Sequence, residues 1–436
     1  MSETSQQQAA SAFDAHHPPA KELIDKCVHC GFCLQTCPTY LLWGEEMDSP
    51  RGRIYLMSLA ADGKIAINDT LVQHMDRCLG CMACMTACPS AVPYDKLIEA
   101  TRSQIERNYP RSSSARLFRN LVFGVFTNPG LLRALAVPLW LYQKSGLQSL
   151  VRATGLLKVL PKRLRSMESL LPKISLRTGL AERIAPAGEK RRRVGLMLGC
   201  VQRVFLDRVN AATARVLAAE GCEVIAPESQ PCCGALMIHT GAEEQALLLA
   251  RQMIDTFERA DVEAIVVNAA GCGSNVKDYG YQLRDDPQYR ERAANFSSRC
   301  RDVSELLAGL EPRAERKAMS LKVAYHDACH LQHAQKVAAA PRKLLKQIPG
   351  LELLELPESA ICCGSAGVYN LAQPEAAEAL GDRKARNVLS SKPDVVATGN
   401  PGCILQIKAA LRRAGSGLRV VHTVEVLDAA IRGAKL

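Results

Sequence analysis

The sequence predicts an α+β multidomain fold, in which an α-helical N-terminal domain and a helical linker precede two duplicated α/β domains. Three observations predict it: the 18 cysteines fall into two groups, a basic segment without cysteine separates the groups, and the second group repeats. A 436-residue chain is long enough for several domains. We expect five segments, with these bounds: 1–18 disordered, 19–104 helical, 105–190 linker, 191–315 first α/β domain and 316–436 second α/β domain.

The cysteine content indicates metal binding. Hydrophobic residues make up 47% and charged residues 23% of the chain, as in ordinary globular proteins. Residues 1–12 have no basic region followed by an apolar stretch, so they do not resemble a secretory signal. Disulfide scaffolds are usually short secreted chains. We therefore expect reduced, largely metal-bound thiols and a cytoplasmic protein.

Two cysteine runs in the N-terminal domain have the spacing C-x2-C-x2-C-x3-C-P, which is typical of proteins that bind two 4Fe–4S clusters. The first three cysteines of a run bind one cluster, and the fourth binds the other. We assign one cluster to Cys27, Cys30, Cys33 and Cys88, and the other to Cys78, Cys81, Cys84 and Cys37. Zinc sites do not need this repeated four-cysteine spacing, and unligated core cysteines would not repeat it.

The segment between these runs indicates a largely α-helical, two-cluster ferredoxin-type domain. Its 40 residues exceed what the smallest two-cluster ferredoxins use, and Leu56–Ala61 and Asp69–Arg77 have helical patterns. Glycine-rich nucleotide-binding motifs are absent from the sequence, and we identify no catalytic residue. Electron transfer is the predicted role.

The linker carries the positive charge of the chain. Residues 102–193 hold 19 Lys/Arg and 4 Asp/Glu, whereas the whole chain has a formal charge of +11. The segment matches no nucleic-acid motif, and its longest uncharged run, Asn120–Leu132, is too short to span a bilayer. Apolar stretches beside basic residues suit a peripheral membrane contact or a docking site, although a solvated helical linker would have the same composition. The basic residues concerned are Arg119, Arg133, Arg152, Arg163 and Arg165.

The C-terminal half repeats itself at three landmarks. Cys200, the Cys232-Cys233-Gly234 triplet and Cys272 recur at Cys329, Cys362-Cys363-Gly364 and Cys403, with offsets of 129, 130 and 131. Short apolar runs such as residues 194–198 and 394–398 precede these cysteines, and helical patterns such as 209–220 and 243–259 lie between them. This alternation predicts two α/β units with parallel sheets, with the cysteines at the carboxyl ends of strands.

Each Cys-Cys-Gly repeat offers four thiols and is a candidate additional metal or cluster site, although buried free thiols would also explain it. The first quartet is Cys200, Cys232, Cys233 and Cys272, and the second is Cys329, Cys362, Cys363 and Cys403. Weaker candidates in the second copy are His326, His330 and His333, as metal ligands or proton relays. His239 is weaker still. Cys222 and Cys300 have no counterpart in the repeat, and we expect them to be structural.

These motifs, in this order, resemble the iron–sulfur subunit family of bacterial glycolate oxidase (glycolate dehydrogenase). The segment Pro50-Arg-Gly-Arg-Ile54 is similar to this family and less similar to the related subunit of anaerobic glycerol-3-phosphate dehydrogenase. The resemblance implies partner subunits that contain FAD and oxidise glycolate to glyoxylate. This chain would then pass electrons towards a membrane quinone pool, as a cytoplasmic protein or on the cytoplasmic face of the inner membrane.

Two alternative functions remain at this point. The chain could serve a glycerol 3-phosphate or lactate dehydrogenase, or it could reduce disulfides by itself at a special cluster. The Cys-Cys-Gly domains are similar to those of heterodisulfide reductase, but a further cysteine that is frequent there is replaced here by Asn275 and Gln406. This difference argues against a five-thiolate cluster.

Overall fold

The computed structural model describes residues 10–176 and 179–436, which form two compact units. The first unit runs to Phe118 and also includes Leu236–Glu243. The second unit contains Arg119–Ala235 and Glu244–Leu436.

The first unit is helical, as predicted. Its helices are α1 (Lys21–Ile24), α2 (Pro38–Trp43), α3 (Pro50–Ala61), α4 (Asp69–Arg77), α5 (Ala83–Ala87) and α6 (Tyr94–Asn108), with a 3-10 turn at Glu46–Asp48. The start of α3 is well defined, because the Ser49 side chain accepts a hydrogen bond from Gly52 N (3.0 Å) and Pro50 occupies the first turn. Helix α4 spans the predicted residues, and the Asn68 side chain caps it.

The expected disorder of residues 1–18 is wrong for part of that segment. Residues 1–9 lie outside the described residues, but Ala12 N donates to Ala60 O (2.9 Å). Asp14 accepts hydrogen bonds from Arg107 Nε (3.0 Å) and Asn108 Nδ2 (2.7 Å) on α6. The segment from Ala12 onward is therefore part of the first unit, because α6 offers a cluster of donors that a polar tail can satisfy.

Four helices follow: α7 (Ser113–Phe126), α8 (Pro129–Lys144), α9 (Leu147–Ala153) and α10 (Lys162–Leu170), with a 3-10 turn at Leu156–Val159. Helices α8 and α10 are packed within the second unit: Leu132 and Ala136 of α8 form a small core with Val204, and Ser166 Oγ of α10 donates to Asn370 O (3.0 Å). This segment is a docked helical layer. Within the described residues no single helix is long and apolar enough to cross a membrane; α7 and α8 meet those criteria only as a pair bent by 95°.

The first α/β domain is built on a five-stranded sheet of order β1-β3-β2-β4-β5. Its strands are β1 (Arg183–Ile184), β2 (Arg192–Met197), β3 (Cys222–Ile225), β4 (Ala264–Val267) and β5 (Cys300–Asp302), of which only β1 is antiparallel. Its helices are α11 (Gln202–Phe205), α12 (Asp207–Ala219), α13 (Ala235–Ile238), α14 (Glu243–Arg259), α15 (Ala270–Lys277), α16 (Tyr279–Gln282), α17 (Arg290–Arg299) and α18 (Val303–Ala308).

The second α/β domain has a four-stranded parallel sheet of order β7-β6-β8-β9. Its strands are β6 (Leu321–His326), β7 (Leu351–Glu355), β8 (Val395–Thr398) and β9 (Arg419–His422). A π-helical turn (His330–Ala334) follows β6, and the helices are α19 (Ala339–Lys346), α20 (Tyr369–Ala372), α21 (Pro374–Ser390), α22 (Pro401–Arg413) and α23 (Thr423–Arg432).

The sheets show the duplication directly. Strands β2 and β6 each have six residues at an offset of 129, and helices α14 and α21 each have 17 residues at an offset of 131. The central strands β4 and β8 are buried along their whole length, as expected for parallel sheets covered on both faces. The predicted α+β multidomain class and its two α/β repeats are confirmed.

Two predicted boundaries of the linker differ from the structure. Helix α6 continues to Asn108, so the helical domain extends past residue 104. Strand β1 pairs with β3, with Arg183 opposite Ile225, so residues 183–184 belong to the first α/β sheet. A two-residue antiparallel edge strand carries too little hydrophobic pattern to be recognised in the sequence.

Candidate metal centres

The four cysteines assigned to the first cluster line one cavity of the first unit. Cys27, Cys30 and Cys33 lie on the loop before α2, and Cys88 reaches the cavity from the end of α5; Cys84 also lines it. Burial raises the pKa of the Cys27 thiol, and the neighbouring Cys88 and Cys30 raise it further. The fold thus places the fourth cysteine of the second motif with the first motif, as the crossed assignment requires.

The other four cysteines form a second, more buried group. Burial raises the pKa of Cys84 well above its usual range, and Cys81, Cys78 and Cys37 add to that rise. Cys37 comes from the first motif, so this group is also crossed. Coordination to iron would deprotonate such thiols. Two sets of four thiols, each drawn from both motifs, fit two 4Fe–4S clusters.

The two motifs adopt the same local backbone conformation. The residues two and four positions after the first cysteine of each motif have positive φ: His29 and Gly31 in the first, Gly80 and Met82 in the second. The fourth cysteines, Cys37 and Cys88, have identical dihedral angles, with φ −85° and ψ 114°. Left-handed conformations at non-glycine residues carry strain, which is typical of loops shaped around a bound group.

A buried ionic network lies beside the second thiol group. The Asp48 carboxylate accepts from Arg53 Nη2 (3.2 Å) and Arg77 Nη1 (2.9 Å), and His74 Nδ1 lies 2.9 Å from it. Arg53 is only 1% exposed, and its Nη2 also donates to Thr39 Oγ1 (3.2 Å), which in turn lies 3.2 Å from Cys37 Sγ. The network therefore holds the positively charged guanidinium group of Arg53 near the second thiol group.

The charges of this network act on Cys78. Burial opposes ionisation of this thiol, but the guanidinium groups of Arg53 and Arg102 and the hydrogen bonds it accepts together outweigh burial and lower its pKa. Gly80 N donates to Cys78 Sγ (3.3 Å), and Arg102 Nη2 donates to the Cys78 carbonyl. The role of these two arginines was missed in the sequence, where the Pro-Arg-Gly-Arg segment was the only signal for Arg53.

In the first α/β domain the four predicted thiols gather beside the strand ends. Cys200 follows β2 and its Sγ lies 3.3 Å from Cys232 Sγ. Interaction with Cys232, together with burial, raises the pKa of Cys200 well above its usual range. Cys233 interacts with Cys232 and with Cys272, which lies in the first turn of α15. The quartet is a chain of neighbouring thiols.

The second α/β domain repeats this chain of thiols. Interaction with Cys362 raises the pKa of Cys329 well above its usual range, and burial raises it further. Cys363 interacts with Cys362 and Cys403. The metal-ligand atoms of His326, Cys363 and Cys403 all lie within 4.8 Å of one another, and all three residues are buried.

The three histidines predicted as weaker ligands are not all at this site. His326 joins the thiols, and burial together with the charge of Lys384 lowers its pKa well below the usual value. His330 Nδ1 instead lies 2.6 Å from Ser274 Oγ of the first α/β domain, and His333 Nε2 lies 3.2 Å from Ala360 O. His326 ends strand β6, whereas His330 and His333 lie on the π-helical turn that follows it.

The glycine of each Cys-Cys-Gly triplet is required by backbone conformation and space. Gly234 has φ +80° and Gly364 has φ +87°. A Cβ on Gly364 would lie 2.6 Å from Ala377 O, and one on Gly234 would lie 3.1 Å from Ala246 O, at the equivalent place in the repeat. The close backbone approach at this glycine therefore occurs in both copies.

The remaining predicted positions have other roles in the described structure. Cys222 and Cys300 are fully buried at the first residues of β3 and β5. Asn275 Nδ2 donates to Cys233 O (2.6 Å), so an amide occupies the position of the absent further cysteine. His239 Nδ1 lies 2.8 Å from Glu99 Oε1 in the first unit.

Comparison with known proteins agrees with this organisation. Residues 23–92 match the family model of a 4Fe-4S dicluster domain, and residues 194–277 and 323–408 each match that of a cysteine-rich domain. Residues 114–171 match the linker region of the glycolate oxidase iron-sulfur subunit. The chain is 39% identical over 415 residues to the probable glycolate oxidase iron-sulfur subunit of Bacillus subtilis, covering 93% of both chains. It belongs to the glycolate oxidase iron–sulfur subunit family.

Other relatives agree with this membership. The glycolate oxidase iron-sulfur subunit of Escherichia coli is 37% identical over 94% of this chain and 95% of its own length. Lactate utilization protein A of Exiguobacterium is 31% identical, but over only 55% of this chain and 99% of its own length. The predicted resemblance and the predicted iron–sulfur domain are confirmed, and family membership makes this chain an iron–sulfur subunit of an oxidoreductase.

Proposed function

We propose that this chain is the electron-transfer subunit of a complex that oxidises glycolate to glyoxylate. The observation that carries the proposal is the pair of crossed thiol groups, each supplied by both cysteine motifs. Cysteine sets of this kind hold 4Fe–4S clusters, which accept and release single electrons. The chain would hold two such clusters, one on Cys27, Cys30, Cys33 and Cys88 and the other on Cys37, Cys78, Cys81 and Cys84.

Substrate oxidation belongs to a partner that contains FAD. The sequence holds no glycine-rich nucleotide-binding motif, and no acid–base pair was identified in it that would take protons from a hydroxy acid. In this proposal a flavin subunit oxidises glycolate, and this subunit passes the electrons on towards quinone.

The first cluster site is the proposed entry point for electrons. Val28 and Phe32 line its cavity and are 68% and 67% exposed, whereas all four cysteines of the second group are buried. Exposed apolar side chains beside a redox site suit a small, transient contact with a donor protein. Electrons would enter at the first cluster and continue to the second.

The helical layer from Arg119 to residue 176 is the proposed contact with the cytoplasmic face of the membrane. It holds nine Lys/Arg and one Glu, and its single acidic residue, Glu168, pairs with Arg152 (2.8 Å). Large apolar side chains are exposed along it; they include Leu121, Leu141, Leu150, Leu156 and Val159. Apolar and basic groups on one layer suit the interface of an anionic bilayer.

Three other functions fit less well. A lactate-oxidising complex is supported by lactate utilization protein A, but that relative matches only about half of this chain and the linker match favours glycolate. A role as the iron–sulfur subunit of a glycerol-3-phosphate dehydrogenase is supported only by the shared order of domains. A stand-alone disulfide reductase would need a five-thiolate cluster. Asn275 and Gln406 stand where the further cysteine of such a site would be, so the fifth thiolate is missing.

Co-purification tests the proposal. The tagged full chain, isolated without oxygen from its native host, should bring down FAD-containing polypeptides and hold about eight iron atoms for two clusters. The double variant Val28→Asp/Phe32→Asp should keep its iron but lose the flavoprotein, because charge disfavours an apolar contact. Isolation of the wild-type chain with full iron and without flavin would contradict the proposal.

A further inference from the structure

The two Cys-Cys-Gly domains differ at two buried positions beside their thiols. The offsets that superpose β2 on β6 and α14 on α21 make Met197 equivalent to His326 and Met253 equivalent to Lys384. In the first domain, both methionines pack in the apolar cluster that contains Cys200, Cys232 and Cys233. The second domain therefore has an imidazole and an ammonium group where the first has two thioethers.

His326 is a buried polar group that the surrounding protein does not satisfy. It is 1% exposed, and neither ring nitrogen has a hydrogen-bond partner. Burying an imidazole without a partner is unfavourable, so such groups in native proteins call for an explanation. The ligand-atom separations of at most 4.8 Å to Cys363 and Cys403 supply one.

We propose that the second Cys-Cys-Gly domain binds a single zinc ion through His326, Cys363 and Cys403. Zinc takes thiolate and imidazole ligands at about 2.3 and 2.0 Å, so donors around one tetrahedral ion lie roughly 3.5–4 Å apart. The three donor atoms lie within 4.8 Å of one another, so a small inward movement would bring them around one ion. Thiolates of a cubane cluster each bind a different iron and are held farther apart, so this spacing favours a mononuclear ion. Three protein ligands leave one position of the tetrahedron to be filled by a fourth donor.

The surroundings of the three ligands suit a zinc thiolate centre. Asn400 Nδ2 lies 3.4 Å from Cys403 Sγ and donates towards it, as outer partners of metal ligands commonly do. Lys384 is 2% exposed and is fixed by hydrogen bonds to the carbonyls of Glu358 and Ser359. Its ammonium group lies close enough to Cys363 and Cys403 to interact with them electrostatically, so a positive charge stands beside the proposed ligands.

The first domain does not offer the same site. Met197 stands in place of the histidine, and a thioether is a poor ligand for zinc. The proposal therefore predicts one zinc ion in each chain, held by the second domain. It does not depend on the identity of the oxidised substrate.

Metal analysis of single variants tests the zinc site. The full-length chain, purified without oxygen and treated with a mild chelator, should contain about one zinc ion besides the iron of its clusters. His326→Met, which installs the residue of the first domain, should lower the zinc content at least tenfold and leave the iron unchanged. His326→Cys supplies another zinc ligand and should restore the zinc, whereas a merely structural histidine would not be replaced in this way.

Matched controls complete the test. His330→Ala and Met197→Leu should each keep the zinc, because these side chains lie outside the proposed ligand set. Cobalt substitution of the wild type should give thiolate-to-cobalt and tetrahedral ligand-field absorption bands that are absent in His326→Met. Wild-type protein without zinc, extra iron in place of zinc, or zinc that is insensitive to His326→Met would each overturn the proposal.

Discussion

At the scale of single residues, the crossing of the two cluster motifs is the feature most open to direct test. Cys37 and Cys88 have the same backbone conformation in their motifs, and each lies with the thiols of the other motif. This arrangement could be predicted from spacing alone, because the fourth cysteine of such a run points away from its own loop.

Substitution of each of these two cysteines by serine gives the first prediction. Cys37→Ser should damage the buried cluster of the second motif, and Cys88→Ser the more exposed cluster of the first. Each variant should lose about half of the cluster iron, and EPR of the reduced protein should show which signal remains. Loss of the same signal in both variants would contradict the crossed assignment. Cys222→Ser, in strand β3, is the control that should keep both clusters.

Arg53 gives the second residue-scale prediction. It is buried beside Asp48 and lowers the pKa of Cys78, so its charge favours electron-rich states of the nearby cluster. Arg53→Met should lower the midpoint potential of that cluster and destabilise the fold by about 3 kcal/mol, because Asp48 would lose part of its compensation. Arg53→Lys keeps the charge and should recover much of the potential. A redox titration followed by EPR that gave equal potentials for Arg53→Met and wild type would contradict this role.

At the scale of elements, the structure explains the Pro-Arg-Gly-Arg segment on which the family resemblance rested. Ser49 caps α3, Pro50 occupies its first turn, Arg51 Nη1 donates to His29 O (3.1 Å) in the first cysteine loop, and Arg53 enters the ionic network. Gly52 is required because a Cβ there would lie 2.0 Å from Glu46 O. One helix start therefore connects both cluster loops.

Substitution of this glycine is the element-scale prediction. Gly52→Ala should displace the 3-10 turn at Glu46–Asp48. It should lower the free energy of unfolding of the first unit by about 1–3 kcal/mol, the usual cost of overpacking. Gly124→Ala in helix α7 is the matched control: nothing lies within 4 Å of its Cβ, so it should be neutral or stabilising by about 0.5–1 kcal/mol. Denaturant unfolding of the iron-loaded chain measures both. Equal stability of Gly52→Ala and wild type would show that the turn adapts without cost.

Most elements could be predicted from the sequence because their patterns are local. Helices α4 and α14 span the predicted residues, and the strands before Cys200, Cys272, Cys329 and Cys403 occur where apolar runs end. Strand β1 and the ordered segment around Asp14 could not be predicted, since both depend on distant partners. The placement of His326 with Cys363 and Cys403, but not of His330, depends on how strand β6 packs against distant segments, which no local pattern indicates.

At the scale of the whole molecule, the helical layer from Arg119 to residue 176 gives a prediction about localisation. Arg163→Glu/Arg165→Glu reverses two charges on α10, so binding of the chain to vesicles with anionic lipids should weaken at least tenfold. Neutral vesicles should bind wild type and variant equally weakly. Flotation assays measure this, and iron content is the control for folding. Unchanged binding to anionic vesicles would exclude a membrane role for this layer and favour docking of a protein partner.

The central claim is that electrons from glycolate pass through the clusters of this chain. The most direct measurement is glycolate-dependent reduction of a quinone analogue by membranes from a strain that lacks the chain. Wild-type protein should restore this activity, and Cys84→Ser, which removes a ligand of the buried thiol group, should restore less than a tenth of it. Full glycolate-dependent quinone reduction in the deletion strain, or full restoration by Cys84→Ser, would contradict the account.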